Sequence, residues 1–167
     1  MRLRPVVLSV LLLSVPLEAA DVAIHGLQGA GASSPLAGQA VTTTGVVTAL
    51  RTNGFYLQAP DDEADADPAT SEGVFVFTSS APPPAAARGN RVRVSGSVVE
   101  YRPSSDPASP PLTEIGGSVQ VSLLSSGNPL PTPVLLTSAE LSPAGPADRI
   151  ERYEGMRVHV PALLVVA

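Results

Sequence analysis

The chain has 167 residues, of which ten are basic and fifteen are acidic, and it contains no cysteine. A formal net charge of −5 excludes the strongly basic overall surface typical of tight nucleic-acid binders, so any such binding would need a local patch or a bridging metal. Without disulfides, stability must come from packing, a metal or a partner.

The N-terminus has the layout of a secretory signal peptide. Arg2 and Arg4 precede an apolar run over 6–15, and small residues flank a cleavage point after Ala19. The run is shorter than the roughly 20 residues that span a bilayer, so we expect no stable membrane anchor; an uncleaved N-terminal anchor is the alternative. We therefore predict export to the periplasm or the medium. Cleavage would leave 8 basic and 14 acidic residues, a net charge of −6.

The body of the chain is predicted to be all-β. Short runs rich in β-branched residues alternate with Pro, Gly and Ser, and Asn53-Gly54 between the first two runs is a strong hairpin signal. Strict alternation predicts that Val92, Val94 and Val98 share one face of a strand. This order favours a small OB-like Greek-key barrel with long Pro/Ser-rich loops, with a β-sandwich as the alternative. The predicted strands cover 41–50, 54–58, 74–77, 91–101, 112–115 and 118–124.

A repeated pattern suggests the domain organisation. Residues 38–45 and 89–96 share the frame Gly-x-x-Val-x-(Val/Thr)-x-Gly, in which the second glycine suits a bend inside a strand. The frame starts a third time at Gly155, and we expect a second β unit that is truncated. Alternatively, the last strand closes the first sheet. The predicted units are a signal peptide (1–19), an OB-like barrel (20–124), a Pro/Ser-rich linker (125–147) and the truncated start of a second β unit (148–167).

The connection between the second and third predicted strands is acidic and is the best metal candidate. Glu63, Asp65 and Asp67 have the first spacings of an EF-hand loop. Pro68 and Val74 stand where that loop needs Gly and Glu, which excludes an EF-hand. A looser calcium site is the hypothesis here because calcium prefers carboxylate oxygens; the alternative is a solvated loop. The candidate calcium ligands are Asp61, Asp62, Glu63, Asp65 and Asp67.

Several segments together resemble a known family. They are 24–31 (IHGLQGAG), 34–39 (SPLAGQ), 54–58 (GFYLQ), 67–77 (DPATSEGVFVF), 89–96 (GNRVRVSG) and 150–156 (IERYEGM). In this order they resemble the N-terminal region of secreted bacterial nucleases that carry an endonuclease/exonuclease/phosphatase domain downstream. The resemblance implies an OB-like domain that binds or positions nucleic acid. It also implies that a metal-dependent phosphodiesterase domain would lie beyond this chain.

No pattern of catalytic residues is recognisable in the sequence. His25 and His159 lie near opposite ends without a carboxylate partner at a motif spacing, and we expect them to be isolated. A Gly-x-Ser-x-Gly motif is absent, and a phosphate-binding loop with lysine is excluded because the chain has no lysine. A binding module and an enzyme with an unrecognised site are both open, and the family resemblance and the interrupted third repeat favour the binding module.

Nucleic-acid binding would need cations for phosphates and flat rings for bases. We expect weak, salt-sensitive binding of single-stranded DNA or RNA. The alternative is a free-standing exported β-domain that binds a protein or a glycan. The phenylalanines are expected to lie in the core because each buries a large area. The candidate nucleic-acid-binding residues are Arg88, Arg91, Arg93, Tyr56 and Tyr101.

Overall fold

The computed structural model describes residues 20–142 and 147–161. The predicted signal peptide and the last six residues of the predicted second β unit lie outside those ranges. The elements in chain order are β1 (Ala20–Asp21), α1 (Ile24–Gln28), β2 (Ala40–Arg51), β3 (Gly54–Gln58), β4 (Gly73–Phe77), a first 3-10 helix (Pro84–Ala86), β5 (Arg91–Tyr101), β6 (Leu112–Ser125), β7 (Val134–Leu135), a second 3-10 helix (Ala147–Tyr153) and β8 (Val158–His159).

Five strands pair in a closed ring, in the order β2-β3-β4-β6-β5 and back to β2. The pairing of β4 with β6 is parallel, and the other four pairings in the ring are antiparallel. β1 adds to β2 in parallel outside the ring. The prediction of an all-β fold is therefore confirmed, whereas the OB type stays a prediction. In the described ranges, no helix is long and apolar enough to cross a membrane.

The predicted hairpin at Asn53-Gly54 is confirmed. Arg51 of β2 pairs with Gly54 of β3 across a two-residue turn. A register shift between Val47 and Ala49 marks a bulge that bends β2, so the strand can pair with β5 in its first half and β3 in its second. Such bends allow a short sheet to close on itself.

One face of each barrel strand supplies a shared hydrophobic core. Val92, Val94 and Val98 on β5 are all buried, which confirms the alternation predicted for this strand. Ile24 and Leu27 of α1 belong to the same cluster, so the helix adds to the core. Each fully buried side chain of this size contributes about 1.5–3 kcal/mol. The other core residues include Val41, Val47, Phe55, Leu57, Val74, Val76 and Ile115.

The last barrel strand differs from the prediction. The two strands predicted over 112–115 and 118–124 form one strand, β6, with an irregularity opposite Ser95–Ser97. Gly117 has a φ of 74° there, a left-handed conformation that a glycine adopts without strain. The gap predicted between the two strands is therefore a bulge within a continuous strand. The alternation over 118–124 predicts that Leu123 points inward, but Leu123 is 50% exposed although it pairs with the buried Val92.

The C-terminal described segment contacts the barrel. β8 pairs in parallel with β7, and the segment just before β8 lies against the start of β4. Ser71 Oγ donates to the carbonyl oxygen of Glu154 at 2.6 Å, and the Arg157 amide donates to a glutamine of β3 at 2.8 Å. A Cβ on Gly73 would overlap the backbone of Gly155, so the two segments approach closely. The division into domains at 124 and 147 stays a prediction.

Candidate functional site

A concave surface rich in aromatic side chains lies on the outside of the barrel, over β3, β4 and the adjoining ends of β5 and β6. Its volume is about 410 Å³. Flat rings in a shallow concavity can stack on planar or ring-shaped ligands. We call it the aromatic surface, and its residues are Arg51, Asn53, Tyr56, Phe75, Phe77, Tyr101, Leu112 and Glu114.

The strand register brings these side chains together. Tyr56 pairs with Phe75 on the neighbouring strand, and Phe75 in turn pairs with Glu114 on β6. Tyr101 pairs with Leu112 at the far end of the β5–β6 ladder. Directly opposed residues in a sheet point to the same face, so these pairs form one continuous surface.

The two central rings pack on each other. The ring centroids of Tyr56 and Phe75 are 5.1 Å apart and the ring planes are tilted by 52°. Gly54 makes room for this arrangement because a Cβ there would collide with the ring of Phe75. Phe75 is consequently buried, whereas Tyr56 stays partly accessible and Tyr101 is 48% exposed. The aromatic surface therefore combines a buried phenylalanine ring with accessible tyrosine rings.

The polar groups of the aromatic surface are a cation and a buried carboxyl. Arg51 Nη1 donates to the Tyr56 hydroxyl at 3.3 Å, which orients the tyrosine while the guanidinium stays exposed. Glu114 is buried, and this burial raises the pKa of its carboxyl. A guanidinium beside an aromatic ring can bind a phosphate group, and a carboxyl group among aromatic rings can hydrogen-bond the hydroxyl groups of a ligand.

Only the two tyrosines among the predicted nucleic-acid-binding residues lie on the aromatic surface. Arg88 Nε donates to the Thr48 carbonyl oxygen at 3.2 Å. Arg91 pairs with Glu63 of the acidic loop (residues 59–72, between β3 and β4) at 2.6 Å, and Arg93 pairs with Asp21 of β1 at 3.1 Å. The arginines are thus engaged elsewhere, and the structure does not group them with the tyrosines.

Arg51 was not among the candidates from the sequence, and Phe77 was expected to lie in the core. Both lie next to the predicted hairpin, since Arg51 directly precedes its turn and Phe77 pairs with Gly54 at the start of β3. Phe55 lies in the core as expected, and Phe75 is buried too, but on the outer side of β4, where Phe77 stays partly accessible. The alternation of β4, with Val74 and Val76 inward, was the signal that could have found them.

The five predicted calcium ligands do not converge. Asp61 accepts two hydrogen bonds from Thr132, from its hydroxyl at 2.6 Å and its amide at 2.9 Å, and these lower the pKa of Asp61. Glu63 pairs with Arg91, and Asp67 accepts the amide of Ala69 at 2.9 Å. Asp62 is exposed in the same loop.

A different set of metal-capable side chains comes together. Within the described ranges, His25, Asp65 and Glu72 form the one group of three whose ligand atoms all lie within 4.8 Å of one another. Asp65 alone belonged to the predicted calcium set. His25, expected to be isolated, faces two carboxylates that the fold brings to it from distant positions in the chain.

A buried carboxyl joins the C-terminal segment to the barrel. Glu154 Oε1 accepts the amide of Thr113 at 3.0 Å and the side-chain amide of Gln28 at 3.3 Å. Burial raises the pKa of Glu154 to about 8; the bond from Gln28 opposes the rise, and the neighbouring Glu151 adds to it. At neutral pH this carboxyl is mostly protonated.

Comparison with known proteins leaves the family open. No family model matches the chain, and no curated protein matches it significantly. The resemblance to secreted nucleases therefore stays a prediction.

Proposed function

We propose that this chain is an exported OB-type module that binds single-stranded DNA or RNA and positions it for a nuclease. The observation that carries the proposal is the aromatic surface. In OB-folds the face of the second and third barrel strands binds oligonucleotides. In the ring that begins with β2, those strands are β3 and β4, and their outer face presents Tyr56, Phe75 and Phe77.

The geometry suits stacking better than charge-based binding. Stacking of a base on an aromatic side chain contributes about 1–3 kcal/mol and works for every base, because every base has a flat face. The two rings that we assign to this role are Tyr56, which packs against Phe75 on the neighbouring strand, and the exposed Tyr101. Arg51 supplies one phosphate contact, which fits the low basic content of the chain. We therefore expect weak binding that is still salt-sensitive, with a salt dependence that corresponds to about one phosphate contact.

Fluorescence anisotropy tests the proposal directly. The probe is a labelled oligothymidine of about 12 nucleotides, within the length that one OB-fold covers. Saturable binding at low salt is expected, and Tyr56→Ala should weaken it by about 5- to 150-fold, the equivalent of one lost stack. Arg51→Gln should weaken binding and flatten the salt dependence.

Arg93→Gln is the matched control because it also removes one arginine from the outside of the barrel, but away from the aromatic surface. Its affinity should equal that of the unmodified chain. Absence of saturable binding at low salt would refute the proposal. Equal losses for Arg51→Gln and Arg93→Gln would refute the assignment of the site.

A second candidate function is glycan binding at the same surface. Glu114 and Asn53 lie among the rings, and carboxyl and amide groups hydrogen-bond sugar hydroxyls while rings pack on sugar faces. Glycan binding would be insensitive to salt, and it would need Glu114. Screening a glycan array with the unmodified chain and with Glu114→Gln distinguishes the two ligands.

A further inference from the structure

His25, Asp65 and Glu72 meet beside the barrel although they are far apart in the sequence. His25 lies on α1, Asp65 in the acidic loop, and Glu72 directly before β4. The His25 Nδ1 atom is 3.2 Å from Glu72 Oε1 and 3.8 Å from Asp65 Oδ2. Three potential ligand atoms thus surround one small volume.

The neighbouring structure holds the two carboxylates in place. Glu72 is only 6% exposed, and its Oε1 accepts the backbone amide of Asp65 at 2.7 Å. The Oδ1 atom of Asp65 accepts the amide of Asp67 at 2.9 Å and the hydroxyl of Thr70 at 3.1 Å. A burial this deep is costly for a carboxylate unless a cation or several donors face it.

The helix that carries His25 is held equally firmly. Ile24 and Leu27, on either side of His25, are buried in the core. Gln28 at the end of α1 donates to the carbonyl oxygen of Gly73, the residue after Glu72. The imidazole and the buried carboxylate are therefore positioned by the same part of the fold.

The separations fit a metal site. Zinc binds imidazole nitrogen and carboxylate oxygen at about 2.0–2.2 Å, so two ligands of a tetrahedral ion lie roughly 3.3 Å apart. The observed 3.2 and 3.8 Å need only small side-chain movements to reach that value. One nitrogen and two carboxylate oxygens suit a first-row transition ion, whereas calcium prefers oxygen ligands throughout.

We propose that His25, Asp65 and Glu72 bind one zinc ion per chain, leaving a coordination position open to water. The ion would connect α1 to the acidic loop, and it neutralises the buried Glu72. This site is independent of nucleic-acid binding because none of its residues belongs to the aromatic surface. It also differs from a calcium site in the acidic run, of which it uses Asp65 alone.

Calorimetric titration of the chelator-treated full chain with zinc chloride tests the proposal. Saturable binding of one ion is expected, with a rise in melting temperature and no displacement by excess calcium. His25→Asn should lower zinc affinity by more than the roughly 10- to 100-fold that loss of an outer-shell partner costs. His159→Asn is the matched control, since His159 is the only other histidine in the sequence, and it should bind zinc like the unmodified chain.

A second variant and an NMR measurement cover the case in which His25→Asn does not fold. If His25→Asn fails to fold by circular dichroism, Glu72→Gln and the NMR signals of the imidazole nitrogens replace it. Zinc should then shift the His25 ring signals of the unmodified chain and leave those of His159 in place. No saturable zinc binding, unchanged affinity in His25→Asn or Glu72→Gln, or a zinc-induced shift confined to His159 would overturn the proposal.

Discussion

The titration of Glu154 gives a sharp test of how the C-terminal segment is held. We expect Glu154→Gln to stabilise the protein at pH 8 and to change its stability little near pH 5. Glutamine keeps the oxygen that accepts from Thr113 and Gln28, but it carries no proton that can be lost. The variant therefore removes the titration and preserves the hydrogen bonds.

The sign and size of the effect follow from proton linkage. The pKa of Glu154 is about 8 in the folded chain and near 4.5 in the unfolded chain. Between these values the folded state holds one proton more, so the contribution of Glu154 to stability is complete below pH 4.5 and falls as pH rises toward 8. The free energy of unfolding falls by about 1.4 kcal/mol per pH unit in this range, and the total change across the range is on the order of a few kcal/mol.

Urea unfolding at several pH values measures this directly. The free energy of unfolding of Glu154→Gln minus that of the unmodified chain should increase steadily between about pH 5 and 8. Asp106→Asn, which removes one carboxylate from an exposed loop, is the control and should give a flat difference. Glu151→Gln should narrow the pH range over which this difference increases, because it removes a group that raises the pKa of Glu154. A flat or falling difference for Glu154→Gln would refute the reasoning.

Other predictions concern stability, binding and titration. Phe55→Ala should cost about 3–5 kcal/mol in urea unfolding because the ring is fully buried, whereas Phe77→Ala should cost much less and weaken oligothymidine binding. Gly54→Ala should destabilise the barrel and reduce oligothymidine affinity, since its Cβ would collide with the adjacent strand and ring. Hydrogen bonds from the backbone N–H of Thr137 and, to a smaller extent, from the Tyr153 hydroxyl lower the pKa of Glu140 to about 2. Tyr153→Phe should therefore raise that pKa, which NMR measures.

Much of the barrel could be predicted because its strands have clear local signals. The alternation over 91–101 and the hairpin signal of Asn53-Gly54 are properties of neighbouring residues. Both elements are present in the structure, with Thr52 and Asn53 as the two turn residues and Gly54 as the first residue of β3. The break predicted between 115 and 118 was wrong because a glycine pair serves a turn and a bulge equally well. Only the pairing with β5 decides between them.

The sites were harder to predict because they depend on contacts between distant segments. Nothing near His25 in the sequence indicates that Glu72 will face it 47 residues later. Tyr56 and Tyr101 were found from their residue type, but their grouping depends on the order of four strands. The arginines of β5 had the right chemistry, yet Glu63 and Asp21 pair with Arg91 and Arg93 from other elements.

The central claim is that the aromatic surface binds single-stranded nucleic acid. The most direct test is a series of two-dimensional NMR spectra of the isotope-labelled chain during titration with oligothymidine. We expect progressive shifts for the amides around Tyr56 and Phe77 and for Tyr101, with the signals of residues around Arg91 and Arg93 unchanged. Shifts confined to those two arginines, or no shifts at saturating oligonucleotide, would contradict it.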